Sequence, residues 1–258
     1  VLGLDKATMT PAELMRGILS APVDLLYFGG IGTYVKASSE SQMDAKDAAN
    51  AACRIDAAQL RAKVIAEGAN LALTQCGRIE YALRGGRLNT DAVDNSAGVD
   101  CSDHEVNIKI MLNAAVRAGK LTIEERNSLL DSIKDDVADL VLRDNFLQTQ
   151  IISYMHHRGA KSIPGNKKFM HVLEREDKLN RALEFLPADS EMDERFTRGM
   201  GLTRPELCVL MAYAKLTIYD HLLNSDLPDD AVLEKLLLSY FPKTLQENRK
   251  REILTHPL

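Results

Sequence analysis

Hydrophobic and polar positions follow two rhythms along this chain, and the change between them divides it. Up to about residue 115, short apolar runs end abruptly in small or glycine-bearing loops. Val23-Asp24-Leu25-Leu26-Tyr27-Phe28 stops at Gly29-Gly30 and predicts a buried strand. Val64-Ile65-Ala66 stops at Glu67-Gly68-Ala69-Asn70 and predicts the next one. Between them, residues 45–53 and 56–62 read as small helical or turn segments. Strand, helical crossover and strand together predict a parallel βαβ unit. Ahead of it, residues 11–20 predict a short helix, with Thr10 as N-cap and Glu13 completing a capping box.

From about residue 104 the period changes to that of helices. Thr122 and Glu125 form a capping box ahead of Leu130, Ile133, Val137, Leu140 and Val141, a stripe that predicts one helix. Thr203-Arg204-Pro205-Glu206 is a second box, followed on one face by Leu207, Leu210, Met211, Ala214 and Ile218. Residues 226–228 punctuate the chain, and residues 232–240 predict another helix before Pro242. Residues 162–166 read as a loop and residues 186–193 as a linker. The closing REILTHPL reads as the opening of a further helix, as if the chain were a piece of something longer.

Composition narrows the field without naming a chemistry. The 258 residues are 45% hydrophobic and 27% charged, ordinary values for a folded soluble chain. A net charge of −5 supplies no electrostatic reason to expect nucleic acid or an anionic membrane as partner. Cys53, Cys76, Cys101 and Cys208 form no CxxC pair, so reduced thiols and a cytoplasmic setting are expected. No run of about 18 apolar residues occurs, which argues against a spanning helix.

Several motifs invite a chemical reading and fail it. Gly29-Gly30-Ile31-Gly32 resembles a dinucleotide fingerprint, but counting from Gly30 the third glycine position holds Val35. A tight turn and a ligand-facing loop both remain open there. His104-Glu105 begins like HExxH, but Ile108 stands where the second histidine must be, so no zinc site, and no other metal site, is expected. His156 and His157 face different sides of a helix. Arg84-Gly85-Gly86-Arg87 reads as a solvent-exposed turn, with an anion contact as the alternative.

Two small-residue loops between residues 63 and 107 are different. AEGAN follows one strand, and DNSAGVDCSDHEVNIKI leads into a patterned helix. Such loops let a ligand approach the backbone while Asn and Ser side chains hydrogen-bond it. Gly29-Gly30 and Gly68-Ala69-Asn70 both lie at carboxyl ends of predicted strands, where ligands bind in parallel sheets. Ser102 and Asp103 lie near the predicted start of a helix over residues 105–112, where the dipole favours a carboxylate. Plain N-capping by either residue is the alternative.

At these residues the chain resembles a known family. IDAAQLRAKVIAEGAN is similar to the glutamate dehydrogenase signature in which a strand of the NAD domain ends in Glu-Gly-Ala-Asn. DNSAGVDCS resembles that superfamily's Asn-Ala-Gly-Gly-Val-x-x-Ser segment, which lines the nicotinamide and substrate pockets. YFGGIGTYVKA, RGGRLNTDAV, DNFLQTQ and GLTRPELCVLMAYAKLTIYDHLL are similar to the large bacterial NAD-specific glutamate dehydrogenases, and the resemblance covers nearly the whole chain.

The resemblance implies oxidative deamination of L-glutamate to 2-oxoglutarate and ammonium with NAD as cofactor, in a homo-oligomer. It implies an α/β part followed by an all-α part: the C-terminal portion of a Rossmann-like parallel sheet with an appended helical domain. Residues 1–115 would be the C-terminal half of the NAD-binding catalytic domain and residues 116–258 an incomplete helical domain. For the cofactor it implies Gly29 and Gly30 in the loop beneath it, and Gly68 with Asn70 near ribose and nicotinamide. Asn95 would line both pockets, Val99 would pack against the substrate chain, and Ser102 would hydrogen-bond the glutamate γ-carboxylate. Two departures stand out: Asn-Ser-Ala-Gly-Val replaces Asn-Ala-Gly-Gly-Val, and Leu-Ala-Leu-Thr follows Asn70 in place of Pro-Thr-Thr. The family's catalytic lysine and aspartate belong to a substrate domain upstream, so the chain alone is expected to be catalytically silent. The competing class is a non-catalytic helical module for subunit contact or regulation.

Overall fold

Both glycine-terminated apolar runs form strands. In the computed structural model, which describes residues 8–257, β1 (Leu25–Phe28) and β4 (Val64–Glu67) pair in parallel, Leu25 opposite Val64 and Phe28 opposite Glu67. The crossover differs from expectation because it contains no α-helix. It holds a second parallel pair, β2 (Val35–Lys36) with β3 (Ile55–Asp56), then a single 3-10 turn at Ala57–Gln59. Its small, polar residues lack an apolar stripe, and Arg54 organises them instead. The buried Arg54 guanidinium donates to the carbonyl of Thr33 at 2.8 Å, to the Gln42 side chain at 2.5 Å and to the carbonyl of Asp47. β1 is also less buried than its composition predicts: Leu25 and Tyr27 are 55% and 63% exposed, so only its other face packs inward.

The helices follow the capping signals closely where those exist. α1 (Pro11–Leu19) begins at a complete Thr10–Glu13 box. α2 (Gln75–Leu83) is capped by Thr74, whose hydroxyl accepts the Gly77 N–H. α3 (Asp91–Asp94) is followed at once by α4 (Ser96–Arg117). α5 (Ile123–Ser132) carries the complete Thr122–Glu125 box. The stripe through Leu130 and Val141 is not one helix, because the chain breaks at buried Ile133 and restarts as α6 (Lys134–His157). Asp135 and Asp136 in the first turn of α6 complement its amino-terminal dipole. The expected loop at residues 162–166 is the start of α7 (Ile163–Arg175), with Pro164 tolerated in the first turn.

α8 (Asp189–Thr197) and α9 (Arg204–Leu223) come next. At the start of α9, Thr203 N–H donates to the Glu206 carboxylate at 2.6 Å, and buried Arg195 pairs with the same carboxylate at 2.8 Å. α10 (Glu234–Tyr240), α11 (Lys243–Asn248) and α12 (Lys250–Leu254) are short. No helix among the described residues is long and apolar enough to cross a membrane.

Two compact units result. One comprises the residues up to Asn95 together with Thr149–Ala214; the other comprises Ser96–Gln148 and Lys215–Leu258. The first holds two cores. Phe28, Val35, Ile55, Ile65, Leu73 and Tyr81 close the α/β part, and Ile152, Ile163, Met170, Leu173, Met192 and Leu207 close the helical part. The second unit is helical, built on Ile108, Met111, Leu112, Ile133, Phe241 and Leu245.

Leu173 is fully buried in the helical core of the first unit, whereas Leu183 in the same unit is 72% exposed. Leu173→Ala should therefore cost about 2–5 kcal/mol in urea unfolding. Leu183→Ala should stay within about 0.5 kcal/mol. Equal losses at the two positions would contradict this core assignment.

Candidate functional site

The loop after β4 is held by a buried ion pair that the chain pattern does not advertise. Glu67, the last residue of β4, is fully buried, and its carboxylate accepts two hydrogen bonds from Arg78, at 2.7 and 2.8 Å. It also accepts the Leu73 N–H at 3.2 Å, so both ends of the loop meet at one side chain. Arg78 reaches on to Asp91 at 3.2 Å, and Asp91 accepts the Leu71 N–H at 2.7 Å. Asp94 completes the frame by accepting the Glu67 N–H at 3.0 Å and the Asn89 amide at 2.8 Å.

This frame shapes the loop in a way local preference would not. Leu71 has φ +64°, a left-handed conformation that costs a non-glycine residue on the order of 1 kcal/mol. The Asp91 hydrogen bond holds it there while its side chain stays exposed. Burial raises the Glu67 carboxyl above its ordinary pKa, against the pull of Arg78. Burial likewise raises Asp94, against the hydrogen bonds from Asn89 and the Glu67 N–H.

Parallel pairing puts the loops after β1 and β4 at the same end of the strand pair. Gly29 and Gly30 are exposed, and a Cβ added at Gly30 would meet nothing within 4 Å. The turn itself requires Gly32, with φ +131° and the Asn50 amide 2.6 Å from its hypothetical Cβ. Gly68 answers to packing: a Cβ there would lie 1.9 Å from the Tyr27 hydroxyl. Asn70 is exposed and accepts a hydrogen bond from the Asn95 amide at 2.5 Å. This contact joins the two small-residue loops.

The second loop is largely helix. α4 starts at Ser96, whose hydroxyl accepts from Asn145 at 2.9 Å and Gln148 at 3.1 Å. Ser102 and Asp103 consequently sit in its second turn and cap nothing, and the positive end of the dipole lies six residues upstream of Ser102. Val99 and Ser102 are exposed one turn apart, on the same face of α4. The structure thus brings Asn70 and Asn95 together in the first unit, while Val99 and Ser102 belong to the second.

Glu67, Arg78, Asp91 and Asp94 escaped sequence reasoning. A carboxylate ending a buried strand and an arginine three residues inside the following helix were the available signal. Among the other motifs, Arg84–Arg87 is a turn, with Gly85 at φ +94° and Gly86 against the Tyr81 ring. All four cysteines are free thiols.

The α/β part is a parallel strand pair with glycine-bearing loops at its carboxyl end, the end at which parallel sheets generally bind ligands. Comparison with known proteins makes the class specific. Residues 1–155 match the family model for the bacterial NAD-glutamate dehydrogenase catalytic domain, and residues 199–258 match the glutamate dehydrogenase C-terminal model. The chain belongs to the bacterial NAD-glutamate dehydrogenase family. It is 51% identical to the NAD-specific glutamate dehydrogenase of Pseudomonas aeruginosa over 93% of its residues, and 49% identical to that of Mycobacterium tuberculosis over its whole length. The Halomonas elongata enzyme of the same name is 44% identical, again over the whole chain. The chain spans only 15–16% of the length of these relatives.

Arg78→Met should leave Glu67 buried without its cation and lower stability by about 3–5 kcal/mol in urea unfolding. A loss below about 1 kcal/mol would show that the pair does not hold the loop.

Proposed function

We propose that this chain supplies one wall of the active site of an NAD-dependent glutamate dehydrogenase, which converts L-glutamate to 2-oxoglutarate and ammonium. The observation that carries the reading is the joining of the loop after β4 to the α3–α4 junction through Asn70 and Asn95, in a chain of this family. Ligands of parallel sheets bind in that place. On this reading β1 and β4 are part of a Rossmann-like sheet in the NAD-binding catalytic domain.

The residues fit the cofactor. Open space above Gly30 admits a flat ring or a ribose close to the backbone, with Gly29 and Gly68 flanking it. The Asn70–Asn95 contact uses one acceptor and one donor, leaving the Asn70 amide N–H groups and the Asn95 carbonyl to meet a ligand amide or hydroxyl. NAD, when bound, would take up the hydride. Val99 and Ser102 on α4 would serve the substrate, the valine by packing and the serine by donating to the γ-carboxylate. Asn95 would serve both ligands.

Proton transfer needs a base beside the substrate Cα. None of the residues assigned here to the ligands is suited to it, because Asn, Ser, Val and Gly carry no group that titrates near neutral pH. The base, and the family's catalytic lysine and aspartate, would come from the parts of the longer protein outside this chain. A cytoplasmic homo-oligomer is the expected setting. Leu216, Tyr219 and Leu223, exposed at helical spacing on α9, favour a contact role for the second unit.

In the full-length enzyme, Ser102→Ala should raise the glutamate KM at least tenfold while changing the NAD KM little. An unchanged glutamate KM would remove Ser102 from the substrate site. The 258-residue chain alone should show no glutamate-dependent NADH formation and no micromolar NAD binding by calorimetry. Micromolar binding would mean that the chain carries the cofactor site unaided.

A further inference from the structure

The failed HExxH reading at His104 conceals another arrangement. Position i+4 is Ile108, but position i−4 is Asp100, and i, i−4 pairs share a helix face. His104 is 1% exposed, and its Nε2 lies 3.9 Å from an Asp100 carboxylate oxygen, too far for a hydrogen bond. Asp144, on α6 in the same unit, brings a third donor. One ligand atom from each of the three lies within 4.8 Å of the others.

A second observation sets this cluster apart from a solvated acidic patch. Neither ring nitrogen of His104 has a hydrogen-bond partner among the described residues, and neither has the buried oxygen of Asp100. Buried polar groups left unpaired in this way are costly, and a native fold rarely keeps them so. The ring is not free to turn away, because it stacks on Tyr240 at 4.4 Å with an interplanar angle of 20°. Tyr240 is in turn tied to α4 through its hydroxyl, which accepts from Asn107 at 2.9 Å.

We propose that Asp100, His104 and Asp144 bind a divalent first-row transition ion of the zinc or cobalt class. One imidazole and two carboxylates suit such an ion, whereas magnesium and calcium prefer oxygen alone. Metal–ligand bonds of about 2.1 Å at a tetrahedral angle separate donor atoms by about 3.4 Å. Binding therefore draws the three groups inward by about 1 Å, a distance the two aspartate side chains can cover by torsion. Asp144 is exposed, so the ion has a route in, and water completes its coordination. Asp103 adds negative charge close by, and Lys215 opposes it. The ion would knit α4 to α6 within the second unit.

Purified full-length protein, stripped with EDTA and titrated with Co2+, tests the site. The wild type should take up cobalt with visible d–d absorption that Zn2+ removes and equimolar Mg2+ does not. His104→Gln should weaken the cobalt affinity at least tenfold. Asp144→Asn, a substitution at an exposed position that the fold should tolerate, should do the same with an unchanged circular dichroism spectrum. Equal cobalt uptake by the wild type and Asp144→Asn would overturn the assignment. Absence of the absorption in the wild type, or displacement by equimolar Mg2+, would overturn it too.

Discussion

The pairing of Glu67 with Arg78 is the constraint on which the candidate site depends. A carboxylate taken fully out of water at the end of β4 loses solvation worth several kcal/mol, and only a well-placed cation with matching donors offsets that. Arg78 supplies two hydrogen bonds to it and extends to Asp91, which holds Leu71 in a left-handed conformation. The strand end, the loop and the start of α3 are thereby positioned by one planar guanidinium. Lysine could not substitute, because a single ammonium cannot meet two carboxylates in a fixed fork.

With that frame in place, the exposed part of the loop is free to be chemical. Gly68 is small because Tyr27 occupies the space a side chain would need, and Gly30 is small with nothing near it. The two glycines look equivalent in sequence, yet one serves packing and the other leaves room. Asn70 and Asn95 then sit on a surface whose backbone is already fixed, so a ligand meeting their amides pays little ordering entropy. Charged residues lie beneath this surface and neutral amides lie on it. That division suits a site whose base and acid would be brought by another part of a longer protein.

Signals confined to a few residues were read well. Thr10 with Glu13 and Thr122 with Glu125 form complete capping boxes, since each needs only residues three apart. The apolar runs ending in Gly29 and Gly68 are strands, paired in parallel as expected. Exposure to solvent hides periodicity elsewhere. The first two turns of α4 expose Gly98, Val99, Cys101 and Ser102, so no apolar stripe distinguishes them from a loop. The break at Ile133 went unseen for the opposite reason: its side chain continues the stripe while its backbone leaves the helix. At the crossover, buried Arg54 replaces the helix, and carbonyl groups gathered around one guanidinium leave no periodic trace.

The sequence by itself determined the family, the parallel order of β1 and β4, and the helix starts that carry caps. These rest on short-range chemistry or on motif spelling, both of which lie in the order of residues. Tertiary structure alone decided that Glu67, Arg78, Asp91 and Asp94 form one frame and that Asn70 meets Asn95 across 25 residues of chain. It also decided that Asp100, His104 and Asp144 converge, and that the segment Thr149–Ala214 falls with the α/β part in one unit. Each of these depends on contacts between elements well separated along the chain. Their energy depends on burial and on distances of a few ångströms, quantities that exist only once the chain has closed on itself.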